Sequence, residues 1–79
     1  MTFEQCLEVC EEFNTSDAAT CEAIQQIIIP RIESELDNMT RSDRCLVSAG
    51  FSPIFQEDIL RITAALAAAR TRLQSVEAA

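Results

Sequence analysis

The sequence predicts an all-α fold, an antiparallel helical hairpin preceded by a short N-terminal helix. Two runs of mostly apolar residues step alternately by three and four positions, the spacing of a helix–helix seam. The only glycine of the chain lies between the two runs, where the chain can turn. The first run consists of Ile29, Ile32, Leu36, Met39, Asp43 and Leu46. The second consists of Phe55, Ile59, Ile62, Leu66, Ala69, Leu73 and Val76. With one glycine and two prolines in 79 residues, we expect one helical domain over residues 1–79, in a three-helix arrangement.

The first predicted helix spans residues 3–13. Thr2 and Gln5 match a capping box, in which two side chains three residues apart bond to each other's backbone N–H groups. Apolar residues follow at helical spacing, with glutamates on the other face. A helix of about three turns is marginal in isolation, so it must dock on the rest of the chain or on a neighbour. The segment 14–17 provides a stop and a new N-cap at Asp17.

The second predicted helix spans residues 17–48, with a kink or break near Pro30. Its first part carries an apolar stripe, which is out of phase with the seam that begins at Ile29. The stripe consists of Cys21, Ile24, Ile27 and Ile28. Extending the later seam backwards would place Gln25 and Glu22 inside the core. Proline in a helix interior costs about 3 kcal/mol, because a hydrogen bond is lost and the ring clashes with the preceding turn. Both observations predict a distortion at the same place.

The last predicted helix spans residues 53–77. Gly50 provides the positive φ angle that ends the second helix, Ser52 is the expected N-cap, and Pro53 takes the first helical position. Folding the hairpin at the glycine brings Leu46 opposite Phe55. It also brings Asp43 into the seam opposite Ile59. We interpret Asp43 as a solvated edge position; the alternatives are local unwinding before the turn and a site that receives a partner's arginine.

Charge restricts the possible partners. The formal net charge is −7, every basic residue is arginine, and there is no histidine. An acidic surface repels phosphate backbones and anionic headgroups, so we expect no nucleic-acid binding and no membrane insertion. The longest apolar run is far shorter than the roughly 20 residues that span a bilayer. The N-terminal sequence lacks a basic region followed by an apolar core, so no secretory signal is expected and the predicted location is cytoplasmic.

Catalytic and cofactor-binding motifs are not found in the sequence. Without histidine or lysine, a serine or cysteine nucleophile would lack its usual base, and one glycine cannot build a phosphate-binding loop. The four cysteines are Cys6, Cys10, Cys21 and Cys45, and they do not form the paired CxxC spacing of zinc sites. Three of them lie on apolar faces, which favours reduced, buried thiols. We therefore expect neither an enzyme nor a cofactor.

Two apolar patches remain outside the seam. One consists of Ile24, Ile27 and Ile28, and the other of Ile54, Leu60, Ala64 and Ala67. The N-terminal helix is expected to cover one patch and so close a three-helix bundle. The other patch is then free to receive a helix of another protein in a groove.

Two segments of the hairpin resemble a known family. They are the run Cys45-Leu46-Val47-Ser48-Ala49-Gly50-Phe51-Ser52-Pro53-Ile54-Phe55-Gln56 and the run Ala64-Ala65-Leu66-Ala67-Ala68-Ala69. They resemble the small E-class co-chaperones of type III secretion needle proteins. Those proteins are helical hairpins with a Gly-containing turn, an aromatic-Gln pair that opens the last helix, and an Ala-Leu-rich C-terminal helix. The resemblance covers roughly residues 29–77.

The resemblance implies a non-enzymatic role in the cytosol. The chain would pair with a tetratricopeptide-like second chaperone, and together they would keep the needle subunit monomeric until export. The residues assigned to the contact with the partner are Ile54, Leu60, Arg61, Ala64 and Ala67. The alternative is a self-associating helical bundle, and hence a homo-oligomer, or a small inhibitor or adaptor that docks on a helix of a partner protein.

Overall fold

The computed structural model describes residues 1–14 and 17–78, and its regular secondary structure in these ranges is helical. Its elements are α1 (Phe3–Glu12), α2 (Ala18–Ala23), a π-helical turn (Ile24–Ile28), α3 (Ile29–Ser48) and α4 (Gln56–Ala78). Helix α2, the π turn and α3 join into one long kinked helix. The predicted all-α class is confirmed, with three helical segments and a distortion before Pro30. Residues 15, 16 and 79 of the predicted elements and domain lie outside the described ranges.

Helix α1 begins at the predicted capping box. The backbone N–H of Gln5 donates to Thr2 Oγ1 (3.2 Å), and the backbone N–H of Thr2 donates to Gln5 Oε1 (2.9 Å). The helix buries Cys6, Leu7 and Cys10 against the π turn, α3 and α4. Docking on the hairpin stabilises a helix of 10 residues that would be marginal alone.

The π turn explains why the apolar stripe changes phase. The backbone N–H of Ile29 donates to the carbonyl of Ile24, five residues earlier, instead of four. One extra residue therefore separates two buried pairs, which are Cys21 with Ile24 and Ile29 with Ile32. Pro30, which has no N–H to donate, follows in the first turn of α3. Of the predicted patch, Ile24 is buried and Ile28 is half-buried, whereas Ile27 is 67% exposed.

The core lies where α1 crosses the hairpin at the end away from the turn, which we call the base. Its buried apolar residues are Cys6, Leu7, Cys10, Cys21, Ile24, Ile29, Ile32, Ile62, Ala65, Leu66, Ala69 and Leu73. Leu36 and Met39 of the predicted seams are half-buried against this cluster, so the two seams are confirmed as the inner faces of α3 and α4. An ion pair between Glu33 and Arg70 (3.0 Å) joins the two helices and agrees with the predicted antiparallel register.

The turn of the hairpin follows the prediction up to Phe51 and then departs from it. Gly50 has a φ angle of +88°. The backbone N–H of Gly50 donates to Val47 O (3.1 Å) and that of Phe51 to Leu46 O (2.8 Å), which is the Schellman pattern of helix termination. Helix α4, however, begins at Gln56 and not at residue 53. Ser52 is therefore not its N-cap, and that prediction is wrong.

Candidate protein-docking surface

Asp43 of α3 holds the end of the hairpin together. Its carboxylate accepts hydrogen bonds from the backbone N–H of Ile54 (2.9 Å, to Oδ1) and from that of Phe55 (3.1 Å to each oxygen). The residue is only 7% exposed, and it is the one buried residue between Ile32 and Ile62. The expectation of a solvated edge position is wrong, and so is local unwinding, because α3 continues without a break to Ser48. The N–H groups of the two residues just before α4 thus find their acceptor on the facing helix, in the Asp43 carboxylate.

This arrangement sets where α4 starts. The carbonyl of Phe55 accepts the first helical bond, from the N–H of Ile59 (2.8 Å). The two N–H groups that Asp43 accepts belong to the residues directly before α4, and its negative charge beside the start of the helix interacts favourably with the helix dipole. Since Asp43 does this from α3, residues 51–55 stay non-helical. Ile54 is held in this segment with its side chain 68% exposed.

We use the name tip for residues 40–60, the end of the hairpin that includes the turn. Four large apolar side chains of the tip are exposed: Val47 (56%), Phe51 (66%), Ile54 (68%) and Leu60 (71%). In the described part of the chain, only two other large apolar side chains are as exposed, and both lie outside the tip. Clustered exposed apolar side chains are typical of protein-docking sites.

Two grooves run along the tip between α3 and α4. The first, which we call the Val47 groove, is lined by Thr40, Asp43, Arg44, Val47, Ser48, Pro53, Gln56, Ile59 and Leu60. The second, the Phe51 groove, is lined by Arg41, Cys45, Leu46, Phe51, Ile54 and Phe55. Both surfaces are mainly apolar, and each carries one arginine. A groove between two antiparallel helices is a shape into which a third helix can pack.

The five sequence-predicted contact residues fall into three places. Leu60, Ala64 and Ala67 follow one another along the outer face of α4 and are all exposed. Ile54 lies apart from them, in the non-helical segment that lines the Phe51 groove. Arg61 lies on a further side of α4, where α1 crosses. Of the five, Arg61 is the one whose side chain is already engaged by another helix of the chain.

Arg61 is bound within the chain. Its guanidinium pairs with Glu4 (3.0 Å) and Glu11 (2.9 Å) of α1. The hydrogen bonds to Glu11 and then to Glu4 raise the pKa of Arg61 above its ordinary value. Because this side chain is largely exposed, the pairs are weak and sensitive to salt. By pairing with these two glutamates, Arg61 orients α1 on the hairpin.

Two further arginines of the hairpin hold the ends of α1. Arg31 donates to the carbonyl of Met1 (2.6 Å) and contacts Cys6 Sγ (3.6 Å). Arg72 donates to the carbonyls of Glu11 (2.7 Å) and Phe13 (3.3 Å), and its guanidinium lies 5.5 Å from the centre of the Phe13 ring. The base of the hairpin therefore already binds an acidic amphipathic helix, by burying its apolar face and surrounding it with arginines.

The thiols separate into buried and exposed groups. Cys6, Cys10 and Cys21 are buried thiols, as expected, and Cys45 is an exposed thiol in the Phe51 groove. Burial raises the pKa of the Cys10 thiol, and Cys6 and Glu11 raise it further.

Within residues 1–14 and 17–78, no three side chains of the metal-binding types are placed to hold an ion together. In the same ranges, no helix combines the length and apolar character needed to cross a membrane.

Three residues of the tip were missed by the sequence analysis: Arg44, Val47 and Phe51. Val47 and Phe51 are large apolar residues beside the turn but off the seam. That position alone could have predicted that their side chains would be exposed. No sequence pattern indicated Arg44, because it differs from the other arginines only in that their side chains are bound within the chain.

Searches against protein-family models, curated proteins and solved structures find no match to this chain.

Proposed function

We propose that the chain is a non-enzymatic, protein-binding helical module whose contact surface is the tip of the hairpin. The observation that carries this proposal is the contrast between the two ends. At the base, α1 covers the hairpin and the apolar residues are buried. At the tip, four large apolar side chains stay exposed, and the backbone of one of them, Ile54, is held by Asp43. A partner that covers them gains about 25 cal/mol for each Å² of apolar surface removed from water.

The rigidity of the tip supports this assignment. Binding to a loop that must first become ordered loses part of the interaction energy to conformational entropy. Here the segment from Phe51 to Phe55 is fixed at both ends, by the Schellman turn and by the Asp43 carboxylate. The apolar side chains are thus presented in one arrangement before a partner arrives.

The narrower form of the proposal is a cytosolic co-chaperone that pairs with a second chaperone to keep a type III secretion needle subunit monomeric. What supports it is the resemblance of the segment 45–56, which makes up most of the tip. The alternative is self-association, in which the tip of one copy covers the tip of another. Both forms use the same exposed residues, so the experiment must identify what contacts them.

Site-specific photocrosslinking in cells tests the proposal. A photoreactive amino acid replaces Leu60 at the tip, and in a control variant it replaces Ser34, which is exposed on α3 near the base. We expect an adduct from position 60 and none from position 34. An adduct of twice 8.8 kDa identifies a second copy, and any other mass identifies a different partner. Equal crosslinking from both positions, or none from position 60, would refute docking at the tip.

A further inference from the structure

We infer that the Val47 groove binds an amphipathic helix that carries carboxylates beside its apolar stripe. This inference rests on the proposed function and specifies the chemistry of the partner. The chain has six basic residues, all arginine. In the described part of the chain, five of them are engaged by acceptors of the chain itself, three with α1 or the residue just before Thr2 and two with carboxylates of the hairpin. Among the described residues, the guanidinium of Arg44 is the one that makes no ion pair or hydrogen bond.

Arg44 lies on the wall of the Val47 groove. The only acidic side chain that lines this groove is Asp43, and both of its oxygens already accept backbone N–H groups. The groove therefore presents an unpaired positive charge next to the exposed side chains of Val47 and Leu60. The complementary ligand has an apolar surface for the floor of the groove and a carboxylate within reach of the guanidinium.

The same chain shows this mode of binding at its base. Helix α1 buries Leu7 and Cys10 against the hairpin while Arg61 pairs with its glutamates. The tip repeats the combination of an interhelical apolar groove and an adjacent arginine, without a bound helix. An acidic amphipathic helix is thus the class of element that the base of this hairpin already holds, in the form of α1.

A second copy of the chain fits this groove less well. In a two-fold symmetric contact both subunits contribute the same surface. Two Val47 grooves facing each other would bring together two arginines and no available carboxylate. Burying two such charges without partners is unfavourable. Charge complementarity therefore favours a helix of a different protein.

Two synthetic helical peptides test the inference. Each is roughly 18 residues long, about five turns, with the same stripe of leucine and alanine. The flanking positions are glutamate in one peptide and lysine in the other. Each is titrated at low salt into the full-length, nitrogen-15-labelled protein, and binding is followed by amide chemical shifts. We expect the glutamate peptide to shift residues 40–60 and to bind about fivefold more tightly than the lysine peptide, as a partly desolvated ion pair allows.

The net charge of −7 favours the lysine peptide, so a preference for glutamate must come from the local charge at the groove. Arg44→Gln should abolish the preference. Ser34→Glu, which lowers the net charge by the same single unit at an exposed position of α3, should leave it unchanged. The inference is overturned if lysine is preferred, if neither peptide binds, if Arg44→Gln has no effect, or if the shifts lie outside the tip. If the peptide experiment fails in one of these ways, an adduct from position 60 in cells would still support docking at the tip, so the two proposals can fail independently.

Discussion

Replacing Asp43 with alanine is expected to destabilise the protein more than any other substitution in the tip. The carboxylate is the acceptor for two backbone N–H groups, those of Ile54 and Phe55. Alanine offers no acceptor, and the cavity it leaves lies between α3 and the start of α4. Each donor left without an acceptor costs about 1–3 kcal/mol, with the lower values where water can reach the group. The tip is open to solvent on both sides, so we expect a total loss of about 2–4 kcal/mol.

This loss is large for a chain of this size. At about 0.05–0.15 kcal/mol per residue, a domain of 79 residues has a free energy of unfolding of roughly 4–12 kcal/mol. A loss of about 2–4 kcal/mol should therefore lower Tm by roughly 10–25 °C. Asp43→Asn retains one carbonyl oxygen in the same place and loses the charge, so it should cost about 1 kcal/mol.

Thermal and urea unfolding followed by circular dichroism measure these effects. Ser52→Ala is the matched control, because Ser52 is the residue that local sequence rules select as the N-cap of α4. We expect it to change the free energy of unfolding by less than about 0.5 kcal/mol. If Ser52→Ala is the more damaging variant, or if Asp43→Ala melts with the wild type, α4 is capped locally and the role given to Asp43 is wrong.

Three further predictions test the core, the thiols and the response to acid. Leu66 is 3% exposed, so Leu66→Asp buries a carboxylate at a cost of several kcal/mol. Circular dichroism should show lost helicity for this variant, whereas the control Leu60→Asp should keep the wild-type spectrum. Cys45 should react first with a thiol reagent in the native protein and Cys10 only on unfolding, so equal rates would contradict the described packing. Hydrogen bonds from the side chain and then the backbone of Thr20 lower the pKa of Asp17 in the folded state. The stability it contributes is present above its unfolded pKa and is lost as pH falls through the folded pKa. Asp17→Asn should flatten the acid limb of a stability–pH profile, and an unchanged limb would contradict this.

Features of the fold that depend on residues close in sequence could be predicted from the sequence. The cap formed by Thr2 and Gln5, the positive φ angle of Gly50 and the distortion before Pro30 all follow from local stereochemistry. The distortion was detectable because the apolar stripe changes phase by one residue. A π turn contributes that one residue, so a shift in hydrophobic period predicted where the helix departs from α geometry.

The start of α4 shows where local rules are insufficient. Ser52 followed by Pro53 is a strong N-cap pattern, and no nearby residue argued against it. The outcome was decided by Asp43, which is distant in sequence and reaches the backbone only after the hairpin has formed. The period of the seam correctly placed Asp43 on the inner face of α3. The periodicity could not show that backbone N–H groups would meet it there.

The candidate site was hardest to predict because it depends on which groups are already occupied. Arg61 and Arg44 look alike in the sequence, each an arginine near the turn. Arg61 is bound because α1 crosses α4 at that point, and the docking position of a three-turn helix cannot be derived from its own pattern. Arg44 stands out only once the partners of every other arginine are known.

The division between base and tip has a physical consequence for how the module works. Between Ile32 and Ile62, Asp43 is the only fully buried residue, and the seam residues Leu46, Phe55 and Ile59 are half-buried. The hydrogen bonds to one carboxylate therefore make a large contribution to the shape of the tip. Stability then comes mainly from the base, whereas the binding surface makes little contribution to it. Substitutions of Val47 or Leu60 should therefore change binding without unfolding the chain. A module built in this way can alter its docking surface while the core that α1 closes stays the same.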